Sequence, residues 1–258
     1  MLAKLFKLEF KWVNKFVPLF LGAALILGIA SRLTTDLSSV AGLVIHNTLQ
    51  SLAISATVGL ICNVLARSIV HFKNSLIKDE SYLLRTLPVE PKDLWNARVL
   101  TFISSMFLAL VATLGVLALL FMNAELWTTI KTLVSDHSLA FIFLILTVLT
   151  EVTVLGLSVF SSTLLGRRAK GNRNLKTGLY AILFYFGAQI LLLGLAFVLS
   201  QLFPSFNNIF SATDDMPFLD VIKNFQFFFV LATAFYTLVS IVLYLLGKRT
   251  LEKGVDVE

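Results

Sequence analysis

Charge is scarce in this chain. Asp, Glu, Lys and Arg make up 14% of its 258 residues, against about a quarter in soluble domains. Hydrophobic residues reach 57% and the mean hydropathy is +0.88, too apolar for a chain that must cover itself with polar groups in water. The single cysteine, Cys62, excludes an internal disulfide and a cysteine-built metal site. His46, His71 and His137 are too scattered for ligand spacing. Five prolines and 13 glycines exclude a collagen-like or disordered chain. There is no GxxxxGK[ST] segment, so ATP cannot be held on a P-loop. No Ser/His/Asp or Cys/His constellation stands in a loop context, so no catalytic residue, metal or bound cofactor is expected of this chain. Repeats, low-complexity tracts and linkers are also lacking, and the length suits one membrane domain without a sizeable soluble one.

What the chain does have is long apolar runs. Six of about 20 residues are bounded by charge or turn residues, at 17–33, 43–72 (with overhang), 99–122, 139–165, 178–203 and 225–247. Lipid offers no hydrogen-bond partners, so each run can satisfy its backbone only as a helix. A cleaved signal peptide is the rival reading of the start. The first apolar stretch begins too late and runs too long for one.

Basic residues set the expected orientation. Eighteen of the 21 lysines and arginines fall in the N-terminal segment, between runs two and three, between runs four and five, or in the tail. Only Arg32, Lys131 and Lys223 fall on the other side. Basic residues stay cytoplasmic. Both termini are therefore expected inside, which requires an even number of spans. The net charge of +6 follows from this topology and an anionic inner leaflet, not from nucleic-acid binding.

The N-terminal 16 residues read as an amphipathic interfacial helix. At 100° per residue Lys4, Lys7, Lys11 and Lys15 share one face, with Leu2, Leu5, Trp12, Val13 and Phe16 opposite. The lysines would meet phosphates and Trp12 the aromatic belt. Pro18 would mark the bend into the first span. Glu9 breaks the pattern by pointing to the apolar face. It is either a snorkelling, tolerated carboxylate or one half of an ion pair with a base on the neighbouring cytoplasmic segment.

The loop at 73–98 is the most informative stretch. Tyr82, Leu83, Leu84 and Leu87 are apolar residues framed by charge. Pro88 ends one short helix and Pro91 begins another. Apolar residues on such a loop either lie on lipid or dock on a cytoplasmic partner.

The stretch Glu80-Ser81-Tyr82-Leu83-Leu84-Arg85-Thr86-Leu87-Pro88-Val89-Glu90-Pro91-Lys92-Asp93-Leu94-Trp95-Asn96-Ala97-Arg98 resembles the "TLPV" loop of type-2 ATP-binding-cassette (ABC) exporter permeases. The form is that of small bacterial six-span permeases linked to export of, or immunity to, antimicrobial peptides. The resemblance covers the whole layout, but about twenty residues carry it specifically. It implies an all-α integral membrane fold with an elbow helix at 1–16 and a six-span domain at 17–247. It further implies an extracellular segment at 204–224 and a cytoplasmic tail at 248–258. It implies ATPase coupling through Tyr82, Leu83, Leu84, Arg85, Thr86, Leu87, Pro88, Val89, Leu94 and Trp95. ATP and Mg would belong to separate ATPase subunits. A second permease copy or paralogue would complete the pathway in a bacterial plasma membrane. Arg98 stands where a lysine is common in the family.

Within the membrane the charge to explain is Glu151, mid-way along the fourth run. Such a carboxyl must be neutral or paired. One reading is a structural hydrogen bond to Gln189 or a threonine. The other is a contact for a basic substrate, or a gating group. A stripe in the second run, Asn47, Ser51, Ser55, Gly59 and Asn63, reads as helix packing, with Cys62 a small core residue beside it. The expected cargo is amphipathic or hydrophobic, because Phe184-Tyr185-Phe186 and Phe225 with Phe227-Phe228-Phe229 suggest an aromatic interior and membrane-depth charge is limited to Glu151. The family resemblance implies that it is a peptide. A lipid or drug exporter is the neighbouring alternative. Proton-coupled secondary transport through Glu151 is the rival class, though no inverted repeat or paired broken helices accompany it.

Overall fold

The computed structural model describes residues 2–35, 39–77, 90–121, 124–136, 138–169, 171–202 and 218–253. Among them every element is helical: α1 (Leu2–Val13), α2 (Val17–Leu33), α3 (Val40–Ile77), α4 (Pro91–Phe121), α5 (Ala124–Asp136), α6 (Ser138–Arg168), α7 (Arg173–Leu202) and α8 (Phe218–Glu252). Six helical stretches are long and apolar enough to cross a membrane. This is a multi-pass membrane protein. Large apolar side chains such as Ile26, Leu183, Ile190 and Leu238 stand exposed on these helices, as a lipid solvent allows.

Over their described residues the six expected runs each fall on one helix, and most helices overrun them. The expected loop at 73–98 is shorter than its sequence suggests, because α3 continues to Ile77 and α4 starts at Pro91. Proline suits a first helical turn, where its missing N–H has no intrahelical acceptor to lose. Residues 218–224 of the expected extracellular segment likewise belong to α8. The 13-residue helix α5 was not foreseen.

The chain divides into two compact units, Met1–Leu126 and Trp127–Glu258. In the first, α2, α3 and α4 pack around Ala24, Ala53, Val116 and Leu120. Small residues let the backbones approach. A Cβ on Gly28 would sit 3.0 Å from Leu119, and one on Gly59 would sit 3.1 Å from Phe20. Gly59 thus packs inside the unit, whereas Asn47, Ser51 and Ser55 of the same stripe are exposed. The Ser55 hydroxyl is satisfied within its own helix, by the Ser51 carbonyl at 2.9 Å. Cys62 is exposed too, so the expectation of a core cysteine is corrected.

In the second unit α6 packs on both α7 and α8. Two polar rungs tie α6 to α8. Thr147 Oγ1 lies 3.1 Å from the Phe229 carbonyl and 2.9 Å from Thr233 Oγ1, and the Ser161 hydroxyl donates to the Leu243 carbonyl at 2.9 Å. The turn from α6 into α7 uses Gly171 at φ 95°, in the left-handed region that glycine enters freely.

Candidate functional sites

Among the described residues each unit holds a polar cluster between its helices, buried in the first and half-buried in the second. In the first, α1 presents Glu9 and Val13 inward and leaves Lys4, Lys7, Lys11 and Lys15 exposed. A 3-10 turn at Asn14–Phe16 then leads into α2, with Pro18 in its first turn. Glu9 is 7% exposed, too little for a carboxylate to be tolerated alone. Its Oε2 lies 2.6 Å from His71 Nε2 on α3, and its Oε1 lies 3.7 Å from Arg98 Nε on α4. Of the two readings of Glu9, the structure chooses the ion pair, with one base on each helix flanking residues 78–89.

Aromatic groups wall this clamp. Trp12 stacks on the His71 ring at 4.2 Å, and the Arg67 guanidinium covers Trp12 at 4.3 Å and Phe16 at 4.5 Å. Arg67 also donates to the Trp12 carbonyl at 2.9 Å. On the other side Arg98 lies 5.3 Å from the Phe72 ring, and Phe72 meets Trp95 edge-on at 6.1 Å. Asn14 adds a last tie, donating to Ser105 Oγ of α4 at 2.7 Å. Sequence reasoning missed Asn14 and His71, because neither carries a motif and both acquire their role by meeting α1.

The ten residues expected to couple to an ATPase divide at this point. Tyr82, Leu83, Leu84, Arg85, Thr86, Leu87, Pro88 and Val89 lie outside the described residues. Leu94 is half-buried on α4. Trp95 is fully buried against Phe72, so its side chain is floor for the clamp and has no surface left for a partner.

The second cluster lies at mid-depth in the other unit. Glu151 stands 13 residues into α6, about 20 Å from the end of the helix at 1.5 Å per residue. Gln189 Nε2 donates to Glu151 Oε1 at 3.1 Å, and the Tyr185 hydroxyl donates to the same oxygen at 3.3 Å. The Tyr236 hydroxyl in turn donates to Gln189 Oε1 at 2.6 Å. A directed chain therefore runs from α8 through α7 to the carboxyl on α6. Gln189 was legible as a partner; the two tyrosines were not, since tyrosine in a span reads equally as belt or packing.

The aromatic interior expected of this unit is only partly there. Phe186 and Phe227 are each 56% exposed, so they line its outside. Tyr236 is buried, and Phe184, Tyr185, Phe225, Phe228 and Phe229 are half-buried. Among the described residues no group of His, Cys, Asp and Glu could hold a metal ion. Compared with known proteins, the chain matches no family model, no curated protein and no solved structure.

Proposed function

We propose that this chain is the membrane-spanning permease subunit of an ATP-driven exporter for an amphipathic or hydrophobic substrate, with ATP hydrolysis on a separate cytoplasmic subunit. The observation that carries the reading is the Glu9 clamp. An ATPase that moves a permease through a loop needs that loop mounted on helices that move together. Residues 78–89 connect α3 to α4, and His71 and Arg98 stand close to the two mounting points. Glu9 fastens both to α1. A push on the segment would then carry three helices as one body, as rigid-body alternating access requires. The amphipathic face of α1 and the stretch at 80–98 support the same reading, with α1 at the cytoplasmic interface and both termini inside.

The test is co-purification from native membranes followed by an ATPase assay. The intact chain is expected to bring down an ATPase subunit. Leu84→Asp or Leu87→Asp should insert normally and lose it, because a charge in a docked apolar pocket costs on the order of several kcal/mol. Undiminished recovery with both variants would remove the proposed dock. An exporter permease that hydrolyses nothing with any partner, yet moves substrate down a proton gradient, would establish the secondary-transport reading instead.

A further inference from the structure

Glu151 is held by its neighbours in an unusual way: both donors that reach it converge on one oxygen. Gln189 Nε2 and the Tyr185 hydroxyl donate to Oε1. Among the described residues no donor reaches Oε2, and that atom is not sealed inside the protein. The described ion pairs involve Glu9 and Glu90, so no described base lies within ion-pair distance of Glu151. The carboxyl is thus fixed in orientation on one side and open on the other.

The surroundings narrow what the open oxygen can take. Ile182, Tyr185, Phe186 and Gln189 share one face of α7 by their i, i+3, i+4, i+7 spacing. Ile182 and Phe186 on that face are 57% and 56% exposed. An apolar surface therefore borders the carboxyl, and the Tyr185 ring adds a face that attracts cations. A neutral polar ligand supplies no charge that could compensate an ionised carboxyl at membrane depth. A polyvalent cation would bring charges for which this depth offers no further acid, since the other acids on the described helices of this unit, Asp136, Asp220 and Glu252, stand at helix ends.

We propose that Glu151 Oε2 is the recognition point for a lipophilic monocation, a primary ammonium or guanidinium head on an apolar body that lies along Ile182 and Phe186. Tyr185, Gln189 and Tyr236 are positioning residues that aim the carboxyl. This rests on the transport reading and names its substrate class. Binding needs no ATPase, so the two can fail separately: a chain that binds the cation but recovers no ATPase keeps the site and loses the coupled exporter.

The experiment uses the full chain in phosphatidylcholine nanodiscs, with empty nanodiscs subtracted. The probes are two dodecyl chains carrying dansyl at one end, one with a terminal ammonium and the other with a hydroxyl. The ammonium probe is expected to bind at least tenfold more tightly than the alcohol. Glu151→Gln should abolish that preference, and Tyr236→Phe should reduce it about threefold. Equal binding of both probes to the unmodified chain overturns the proposal, as does a preference that survives in Glu151→Gln.

A second measurement needs no variant. Modification of Glu151 by dicyclohexylcarbodiimide, read by peptide mass spectrometry, should be slowed at least tenfold by the ammonium probe and not by the alcohol. An unreactive Glu151, or equal protection by both probes, equally overturns the proposal.

Discussion

Glu9 Oε2 and His71 Nε2 lie 2.6 Å apart, although 62 residues separate them in the chain. That contact places a carboxylate on an apolar face of α1, where it would otherwise be costly, and gives the helix one position on α3 and α4. Because Arg98 approaches the same carboxylate, removing its charge alters both attachments at once.

Glu9→Gln keeps the shape and removes the charge. Breaking a buried pair from one side costs on the order of 3 kcal/mol. Thermal unfolding of the detergent-solubilised chain should show a clear loss of stability, and Arg98→Met in the Glu9→Gln background should recover part of it. A double variant whose losses simply add would show that Glu9 and Arg98 are not energetically coupled.

Topology has a direct test. With Cys62 replaced by alanine, necessary because Cys62 is itself exposed, Ser138→Cys should react with an impermeant thiol reagent applied outside. Asn172→Cys should react only after permeabilisation. Both positions are exposed, so lack of access would not explain a negative result. The reverse pattern would put residues 78–89 outside, away from any cytoplasmic ATPase.

The approach of α6 to α7 depends on Gly166. A Cβ there would stand 2.8 Å from the Thr177 backbone nitrogen, which cannot swing aside as a side-chain tip can. Gly166→Ala should therefore lower the unfolding temperature. Gly171→Ala forces a side chain into the left-handed region at φ 95° and should cost about 1–2 kcal/mol. Gly178→Ala is the control, since nothing lies within 4 Å of its would-be Cβ. Equal stability of all three would contradict this packing.

Thr147→Val removes the hydroxyl that reaches the Phe229 carbonyl and Thr233. Hydrogen bonds between membrane helices average about 0.6 kcal/mol. A small loss is expected in a denaturant titration, restored by Thr147→Ser. A loss that serine fails to restore would assign the effect to methyl packing.

Glu9 shows where sequence reading stops. Its position on the apolar face is legible from a 100° wheel, and an unpaired carboxylate there is costly, so a basic partner on the neighbouring segment can be expected. Which base cannot be read, because Arg67, Lys73 and Arg98 all stand nearby in sequence and only the packing of α1 brings Glu9 to Arg98 and His71. Trp95 shows the same limit: the resemblance places it in the coupling loop, and only the structure shows that α4 begins at Pro91 and turns the indole inward.

The amino-acid order by itself determined the six spans, and their positions follow from one physical fact: lipid supplies no backbone hydrogen-bond partners, so a long apolar run has only one way to satisfy itself. It also determined that Glu151 needs a partner, since charge at that depth is costly wherever the helix packs. Tertiary structure alone decided which partners these would be. Gln189 and Tyr185 on α7 meet Glu151 on α6, while Tyr236 reaches Gln189 from α8. The stripe Ser51, Ser55 and Gly59 divides for the same reason. All three are small and evenly spaced, but Phe20 of α2 reaches Gly59, while Ser51 and Ser55 remain exposed. Spacing along one helix shows which residues share a face; what that face meets depends on where the other helices stand.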